Sequence, residues 1–408
     1  MPQVCFYFQL HQPYRLTDLS VLEVGTKGLQ YFFNPTIQDE NEAIFKKVAD
    51  KSYRPMFALL QKMVDRHPDF RFALSLSGVF LEQLEHYSPD LLAVLKRLVL
   101  SNQVEVLAET YYHSLASLYS EKEFRTQVQL HEEKVFSLLG ARPSAFRNTE
   151  LIYSNDIAQM VEDMGYVGML TEGVDRYLWG RKRTIPYAAK TTHKLPLLLK
   201  HAQLSDDIAF RFSEKSWNAW PLTVTQYLEW VEMYPENEVV NLFMDFETFG
   251  EHQWEDTGIF TFFEEFVDVF LKKSWNSFVT PTSLCTPVCD RKIRKQCLDK
   301  TKLDVYDVPE PISWADVDRD ITAWRDNPYQ IDTLQILYEF ESIVTASKDN
   351  DLLDNWRKLQ TSDHFYYMCT KWAADGDVHA YFSPYENTHE AYRRFTIALA
   401  DFKERLLP

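Results

Sequence analysis

The sequence predicts an α/β fold in which a closed or nearly closed (β/α) barrel is followed by a helical C-terminal domain. Three observations carry this. Short β-branched or aromatic runs alternate with amphipathic helical patterns over most of the chain, and such alternation implies βαβ units and a parallel sheet. The number of units favours closure over an open sheet. Past Cys297 the strand signals become rare and helical patterns take over. The expected division is a barrel over residues 1–295 and a helical domain over 296–408. A chain of 408 residues also exceeds the roughly 250–300 residues at which a single hydrophobic core stops growing.

Taken in order, the first strand is expected at Val4–Leu10, the second at Phe70–Leu76 and the third at Val104–Ala108. A helix follows Ser120, where Ser120 and Glu123 form a capping box and Gly140 supplies the stop. A strand is expected at Ala145–Thr149. The next helix starts after Ser154. Its residues Ile157, Met160, Val161 and Met164 keep the i, i+3, i+4, i+7 spacing of one buried face, and Gly165 ends it. Further strands are expected at Tyr166–Leu170, Ile208–Phe212, Val239–Phe243 and Phe278–Pro281. Helices are expected at Trp314–Trp324, Thr333–Val344 and Leu352–Leu359.

The formal net charge is −17. A nucleic-acid binder needs a basic surface to displace counterions from phosphates, and Arg181-Lys182-Arg183 is too short to supply one. Nucleic acid and anionic membranes are therefore excluded as partners, whereas a neutral polymer meets no electrostatic penalty. No run of 18 or more apolar residues is present, so no membrane span is expected. Val4–Leu10 lacks the basic flank and small-residue cleavage site of a signal peptide. The five cysteines form no paired CxxC set, which argues against a disulfide framework or a structural zinc site and for a reducing, cytoplasmic compartment. Aromatic residues make up 15% of the chain. Most must fill the core, while exposed Tyr and Trp rings are suited to stacking on sugars. Composition does not separate the two roles.

In parallel (β/α) barrels the active site gathers at the C-terminal ends of the strands. The first expected strand ends in His11-Gln12-Pro13. The second is followed by Ser77-Gly78 and then Glu82, the third by Glu109 and His113. The fourth ends in Arg147-Asn148-Thr149-Glu150, and the run Val239–Met244 leads into Asp245, Glu247 and His252. Each has a plainer reading: a histidine after a strand can be a packing residue, Glu82 can sit in a helix's acidic first turn, and Arg147 can pair with a neighbouring acid. An acid at the end of a strand as apolar as Val-Val-Asn-Leu-Phe-Met is harder to explain that way. Five strand ends bearing acid or imidazole groups exceed what packing alone explains. Other chemistries lack their motifs: GxGxxG, GxxxxGK[ST] and GxSxG are all absent. His11, His113, Asp245 and His252 could converge, but neither HExxH nor HxH occurs, so neither a catalytic metal nor a cofactor is expected. Two carboxylates flanking a scissile bond remain, as in most glycosidases.

Together these strand ends resemble glycoside hydrolase family 57. His11-Gln12-Pro13 is similar to the family's first signature and Gly78–Leu84 to its second. Phe146-Arg147-Asn148-Thr149-Glu150-Leu151-Ile152-Tyr153 resembles the nucleophile region. Met244-Asp245-Phe246-Glu247-Thr248-Phe249-Gly250-Glu251-His252 resembles the acid/base region. Ser313–Asp316 and Arg319–Trp324 are similar to the fifth signature, after which Arg325-Asp326 departs from the family's Leu-Gly. The resemblance spans residues 3 to 385, including Ser205–Arg211 and Tyr381–Tyr385. It implies an incomplete seven-stranded barrel whose rim the helical domain completes. It also implies retaining chemistry on α-1,4-glucans of the α-amylase or 4-α-glucanotransferase type. Glu150 would be the nucleophile and Asp245 the acid/base. Strand alternation alone puts Asp245 and Glu247 on one side, so only the resemblance selects Asp245. His11, Gln12, Glu82, His113, Arg147, Glu247, His252, Trp314, Asp316 and Trp324 are the expected substrate-binding residues, with Arg147 also keeping Glu150 ionised. The two tryptophans would stack on sugar or fill the helical core. The expected partner is an α-glucan or maltooligosaccharide, and the sequence assigns no oligomeric state. The rivals are a metal-dependent hydrolase on a related barrel and a non-catalytic glucan-binding protein.

Overall fold

A computed structural model describes residues 3–26, 30–33, 40–286, 302–371 and 383–406. The strands are β1 (Gln3–Leu10), β2 (Phe72–Leu76), β3 (Val104–Leu107), β4 (Ala145–Arg147), β5 (Gly168–Glu172), β6 (Tyr187–Ala189), β7 (Pro196–Lys200), β8 (Val239–Asp245), β9 (Ser277–Phe278) and β10 (Val305–Tyr306). Seven of them form the barrel wall. β8, β1, β2 and β3 pair parallel in that order. β4, β5 and β7 do the same. The two halves meet where Ala108 N–H donates to Ala145 O at 3.0 Å and Arg147 N–H to Ala108 O at 2.9 Å. On the other side, between β7 and β8, the ladder is replaced by His201 N–H on Asn241 O at 2.8 Å and the Asn241 amide on Leu199 O at 2.9 Å. That seam makes the barrel incomplete, and the expected α/β architecture holds.

The sequence signals acted locally as their chemistry requires. Ser120 caps the helix Glu121–Leu139 by accepting from Glu123 N–H, and Gly140 ends it in the left-handed conformation at φ 70°. The capping box is only half made, because the Glu123 carboxylate turns to Arg357, 2.8 Å away. Ser154 caps Asn155–Asp163 in the same way. The outer layer closes with apolar contacts, such as Phe6 and Phe8 of β1 against Phe263 of the helix Ile259–Leu271.

Two expectations change. Ile208–Phe212 is not a strand. The helix Ala202–Ala209 occupies its start, with Leu204, Ser205, Ile208 and Ala209 buried at helical spacing. The strand lies upstream in β7, whose run Pro-Leu-Leu-Leu-Lys is buried throughout. Nor is Trp314–Trp324 helical: it is a series of turns, with Asp316 and Arg319 at φ 44° and 51°, a region that non-glycine residues enter only when side chains hold them there. The region Thr333–Val344 splits into the helices Pro328–Glu339 and Glu341–Ser347, and Leu352–Leu359 falls in Asn350–Lys358.

The 295/296 boundary lies outside the described residues, as do Cys289, Cys297, Tyr381 and Phe382. Beyond that gap the chain still belongs to the barrel surface. β10 pairs with β6, and Tyr153 bridges to Ile312. The C-terminal helix Thr388–Leu406 in turn anchors the segment after β1, where the Tyr31 hydroxyl donates to Asp401 at 2.8 Å. Cys5, Cys285 and Cys369 are buried. Among the described residues no helix is long and apolar enough to cross a membrane.

Candidate active site

Glu150 stands at the C-terminal ends of the strands, on a turn that breaks ordinary backbone geometry. The turn follows β4. Glu150 and the buried Leu151 both adopt left-handed conformations, at φ 56° and 51°, at a cost of roughly 1–2 kcal/mol each. Hydrogen bonds hold them there. The Asn148 amide donates to Ile152 O at 2.9 Å and to Ser117 at 3.0 Å, and Trp314 N–H donates to Glu150 O at 3.3 Å. The result aims the Glu150 carboxylate at Trp314, Ser362 and His113. There it accepts from the Trp314 indole N–H at 2.9 Å and the Ser362 hydroxyl at 3.1 Å, with His113 Nε2 at 3.4 Å. The side chain keeps 19% of its surface exposed, which leaves one side open to a substrate.

His113, itself at φ 50°, bridges two carboxylates. Its Nδ1 lies 3.0 Å from Glu109, and burial disfavours the imidazolium, but the hydrogen bonds to Glu109 and Glu150 outweigh burial and lift its pKa to about 9. Glu109 is fully buried. Burial opposes its ionisation, yet His113 and Arg147 hold its pKa down to about 2. For Glu150 the balance is similar: burial raises its pKa, while His113 and Arg147 overcome it and leave it below the ordinary value. Asp245, at the end of β8 and beside Gln9 of β1, goes the other way. Burial and the negative charge of Glu150 raise it to about 6, against the opposing pull of Arg147, Lys200 and His113. Two neighbouring carboxyls are thus pushed apart, one towards the anion and the other towards the acid.

Arg147 is completely buried, with its guanidinium over the rings of Tyr7 and Trp314 at 5.9 and 5.3 Å from the ring centroids and 3.9 Å from Glu109. It is a buried cation packed among Tyr7, Trp314 and Glu109. His11 stacks on His113 with ring centroids 4.0 Å apart, and its own nitrogens meet Ser77 at 2.7 Å and Asp363 at 3.0 Å. Burial and the neighbouring His113 lower its pKa despite Asp363. His11 and His113 therefore spend their ring nitrogens on protein groups. Among the described residues no group of three or more His, Cys, Asp or Glu is placed to hold a metal ion.

Other expected residues sit further out. β8 ends at Asp245, and Phe246–Thr248 is a 3₁₀ turn, so strand alternation stops before Glu247. Glu247 instead accepts from the Tyr53 hydroxyl, to which the Gln12 amide also donates at 3.0 Å. Burial and the charge of Asp245 lift Glu247 to about 8. Glu82 accepts from Tyr111 at 2.7 Å. Asp316 pairs with Lys371 at 2.8 Å. Burial lowers His252 to about 4. Trp324 is only 2% exposed and packs near Tyr366, which makes it core rather than a sugar platform. Trp314 reaches the candidate site as a donor to Glu150. Ser362, Asp363, Lys200 and Glu172 were not among the expected residues. Lys200 and Glu172 end β7 and β5, and the strand-end rule would have found both had β7 been recognised and β5 been carried two residues further.

The model for glycosyl hydrolase family 57 matches residues 5–298. The chain belongs to this family. A provisionally named alpha-amylase from Methanocaldococcus jannaschii is 34% identical over 98% of this chain and 84% of its own length. The structure of a family 57 branching enzyme from Thermococcus kodakaraensis superposes with a TM-score of 0.67 at 14% identity, covering 99% of this chain and 90% of that one. A 4-alpha-glucanotransferase from Thermococcus litoralis gives a TM-score of 0.63 at 16% identity and covers 90% of this chain, which spans 56% of the transferase chain. At those identities the superpositions speak for the fold. Membership of the family makes this chain a glycosidase-type enzyme acting on α-glucans.

Proposed function

We propose that this family 57 member is an α-amylase-like retaining glycosidase that cleaves α-1,4-glucans or maltooligosaccharides, with Glu150 as nucleophile and Asp245 as acid/base. The observation that carries this is the opposite displacement of Glu150 towards its anion and Asp245 towards its acid form; Glu247 is displaced the same way as Asp245, and the match to the family's acid/base signature selects between them. In the first step Glu150 bonds to the anomeric carbon while the glycosidic bond breaks and Asp245 passes its proton to the leaving oxygen. In the second, Asp245 takes a proton from water, whose oxygen displaces Glu150 and restores the original configuration. Arg147, His113, Trp314 and Ser362 stabilise the Glu150 anion and fix its direction. The names of the relatives support an α-glucan substrate, and five cysteines with no CxxC pair fit a cytoplasmic setting. The same site serves 4-α-glucanotransferase chemistry when a sugar hydroxyl replaces water as acceptor.

The test is the product profile from maltoheptaose. Shorter oligomers alone mean hydrolysis, and longer ones mean transfer. Unchanged turnover in EDTA is expected with either acceptor. Loss in EDTA with recovery on adding zinc would replace this reading with the metal-dependent one, and binding without new reducing ends would replace it with a non-catalytic role.

The pH dependence of kcat/KM derives from the same pair. Glu150 must be ionised, so activity falls as pH drops through its lowered pKa. Asp245 must carry its proton, so activity falls again as pH rises through about 6. A bell centred on the acid side of neutrality is the expected profile. A rate still rising above pH 8 would contradict it.

A further inference from the structure

Lys200 is an unusual residue to find at the end of a barrel strand. Its side chain is 5% exposed, and its ammonium lies 3.0 Å from Asp206. The strand register places it beside Glu172 of β5. From the segment after β10, Arg319 reaches across the same strand ends: it lies 3.4 Å from Asp206 and 3.8 Å from Glu172, and it donates to Trp314 O. The Lys200 ammonium sits 5.2 Å from the centroid of the Trp314 ring, whose N–H is the donor to Glu150. One charged cluster, with Lys200 and Glu172 buried and Asp206 and Arg319 part-exposed, therefore ties β5 and β7 to the segment that carries the indole.

We propose that Lys200 is a positioning residue for the proposed catalytic pair: neutralised in part by Asp206, its ammonium holds the Trp314 indole on Glu150 and sets the field in which Asp245 works. The inference rests on the assignment of Glu150 and Asp245. Lys200 is too enclosed to bind a sugar directly, so its influence passes through its neighbours. A cation near an aromatic ring is attracted by the ring's quadrupole, the more strongly when both are desolvated. That attraction, together with that of Arg147 at 5.3 Å from the same ring centroid, biases the orientation of a side chain whose indole N–H donates to Glu150. Electrostatically, Lys200 favours the Asp245 anion, and Asp206 opposes that by screening Lys200.

Around Asp245 the other ionisable groups are Glu150, Arg147 and His113, with Glu247 and Tyr7 beside them. Around Lys200 they are Asp206, Glu172 and Arg319. Substitutions confined to Lys200 or Asp206 leave the first set intact, so the alkaline limb of the pH profile reads their effect on Asp245. Without the Lys200 charge, Asp245 is easier to protonate, and the limb moves up. Without the Asp206 charge, Lys200 acts unscreened, and the limb moves down. Shifts of about half to one pH unit are expected for partly screened charges at these separations.

The experiment measures kcat/KM against pH on a maltooligosaccharide for the full chain and for Lys200→Met, Lys200→Arg and Asp206→Asn. Lys200→Met should raise the alkaline limb and lower kcat about tenfold with little change in KM. Asp206→Asn should lower the limb, and Lys200→Arg should stay near the parent. A merely structural ion pair predicts loss of stability or rate with no opposed movement of the limb, so shifts in one direction, or none, overturn the proposal. Should Lys200→Met fail to fold, the downward shift in Asp206→Asn against an unshifted Lys200→Arg still decides it. Asp245→Asn run in parallel separates the two levels: an alkaline limb that survives this substitution removes the assignment of Asp245 itself.

Discussion

Replacing Glu150 with Ala is expected to reduce turnover at least about 10⁴-fold, on maltooligosaccharide and on activated α-glycosides alike. The nucleophile is needed whatever leaves, so an easier leaving group offers no relief. Fold should be retained, because Glu150 is a partly exposed side chain on a turn anchored independently by Asn148, and circular dichroism checks this. Removing the carboxylate also vacates space beside the Trp314 and Ser362 donors. Azide can enter there and attack an α-glucosyl fluoride: the carbon–nitrogen bond forms as the carbon–fluorine bond breaks and fluoride departs. The product is the β-glycosyl azide, formed in one inversion. A folded variant with near-normal turnover, or azide product of α configuration only, would remove Glu150 from the role of nucleophile.

Asp245→Asn should cost about 10²–10⁴ in rate on maltooligosaccharide, where the leaving alkoxide needs a proton. On an activated aryl α-glycoside the first step should suffer far less, and the glycosyl-enzyme then accumulates because no base activates water. Azide attacks that intermediate without needing a base and, after two inversions, gives the α-azide. The opposite stereochemistry of the two rescued products assigns the two roles independently of any rate. Glu247 is the necessary control. It lies two residues on, carries an acid-shifted carboxyl and is also buried. Its commitment to Tyr53 leads to the expectation that Glu247→Gln keeps the leaving-group dependence of the parent. If Glu247→Gln instead shows the aryl-specific sparing, the acid/base is Glu247.

The local pattern was enough for β1, β2, β3 and β8, for the helices capped by Ser120 and Ser154, and for the rule that polar groups after buried strands gather in one place. Strand and helix periodicity report the burial of neighbouring residues, and a cap reports a few adjacent backbone groups, so short stretches of chain carry both signals. The same locality explains the errors. Ile208–Phe212 is apolar enough to resemble a strand, but its residues are buried at helical spacing once Leu204 and Ser205 are included. Trp314–Trp324 has no regular period to read, because its shape is set by Arg319 folding back on Trp314 O and by Asp206 and Lys371 binding it from outside.

The sequence by itself determined a parallel (β/α) barrel with Glu150 and Asp245 at strand ends, since that requires only the order of apolar runs and the polar residues at the end of each. Tertiary structure alone decided how the two acids differ. Arg147 reaches Glu109 from another strand. Ser362 and Asp363 arrive from a helix more than two hundred residues after Glu150 to meet Glu150 and His11. The seam between β7 and β8 brings the enclosed Lys200 against Trp314 and within electrostatic reach of Asp245. A carboxyl's proton affinity is the sum of burial and of charges within a few ångströms. Those charges come from segments whose separation along the chain bears no relation to their distance in space, so no local pattern could have shown which acid keeps its proton.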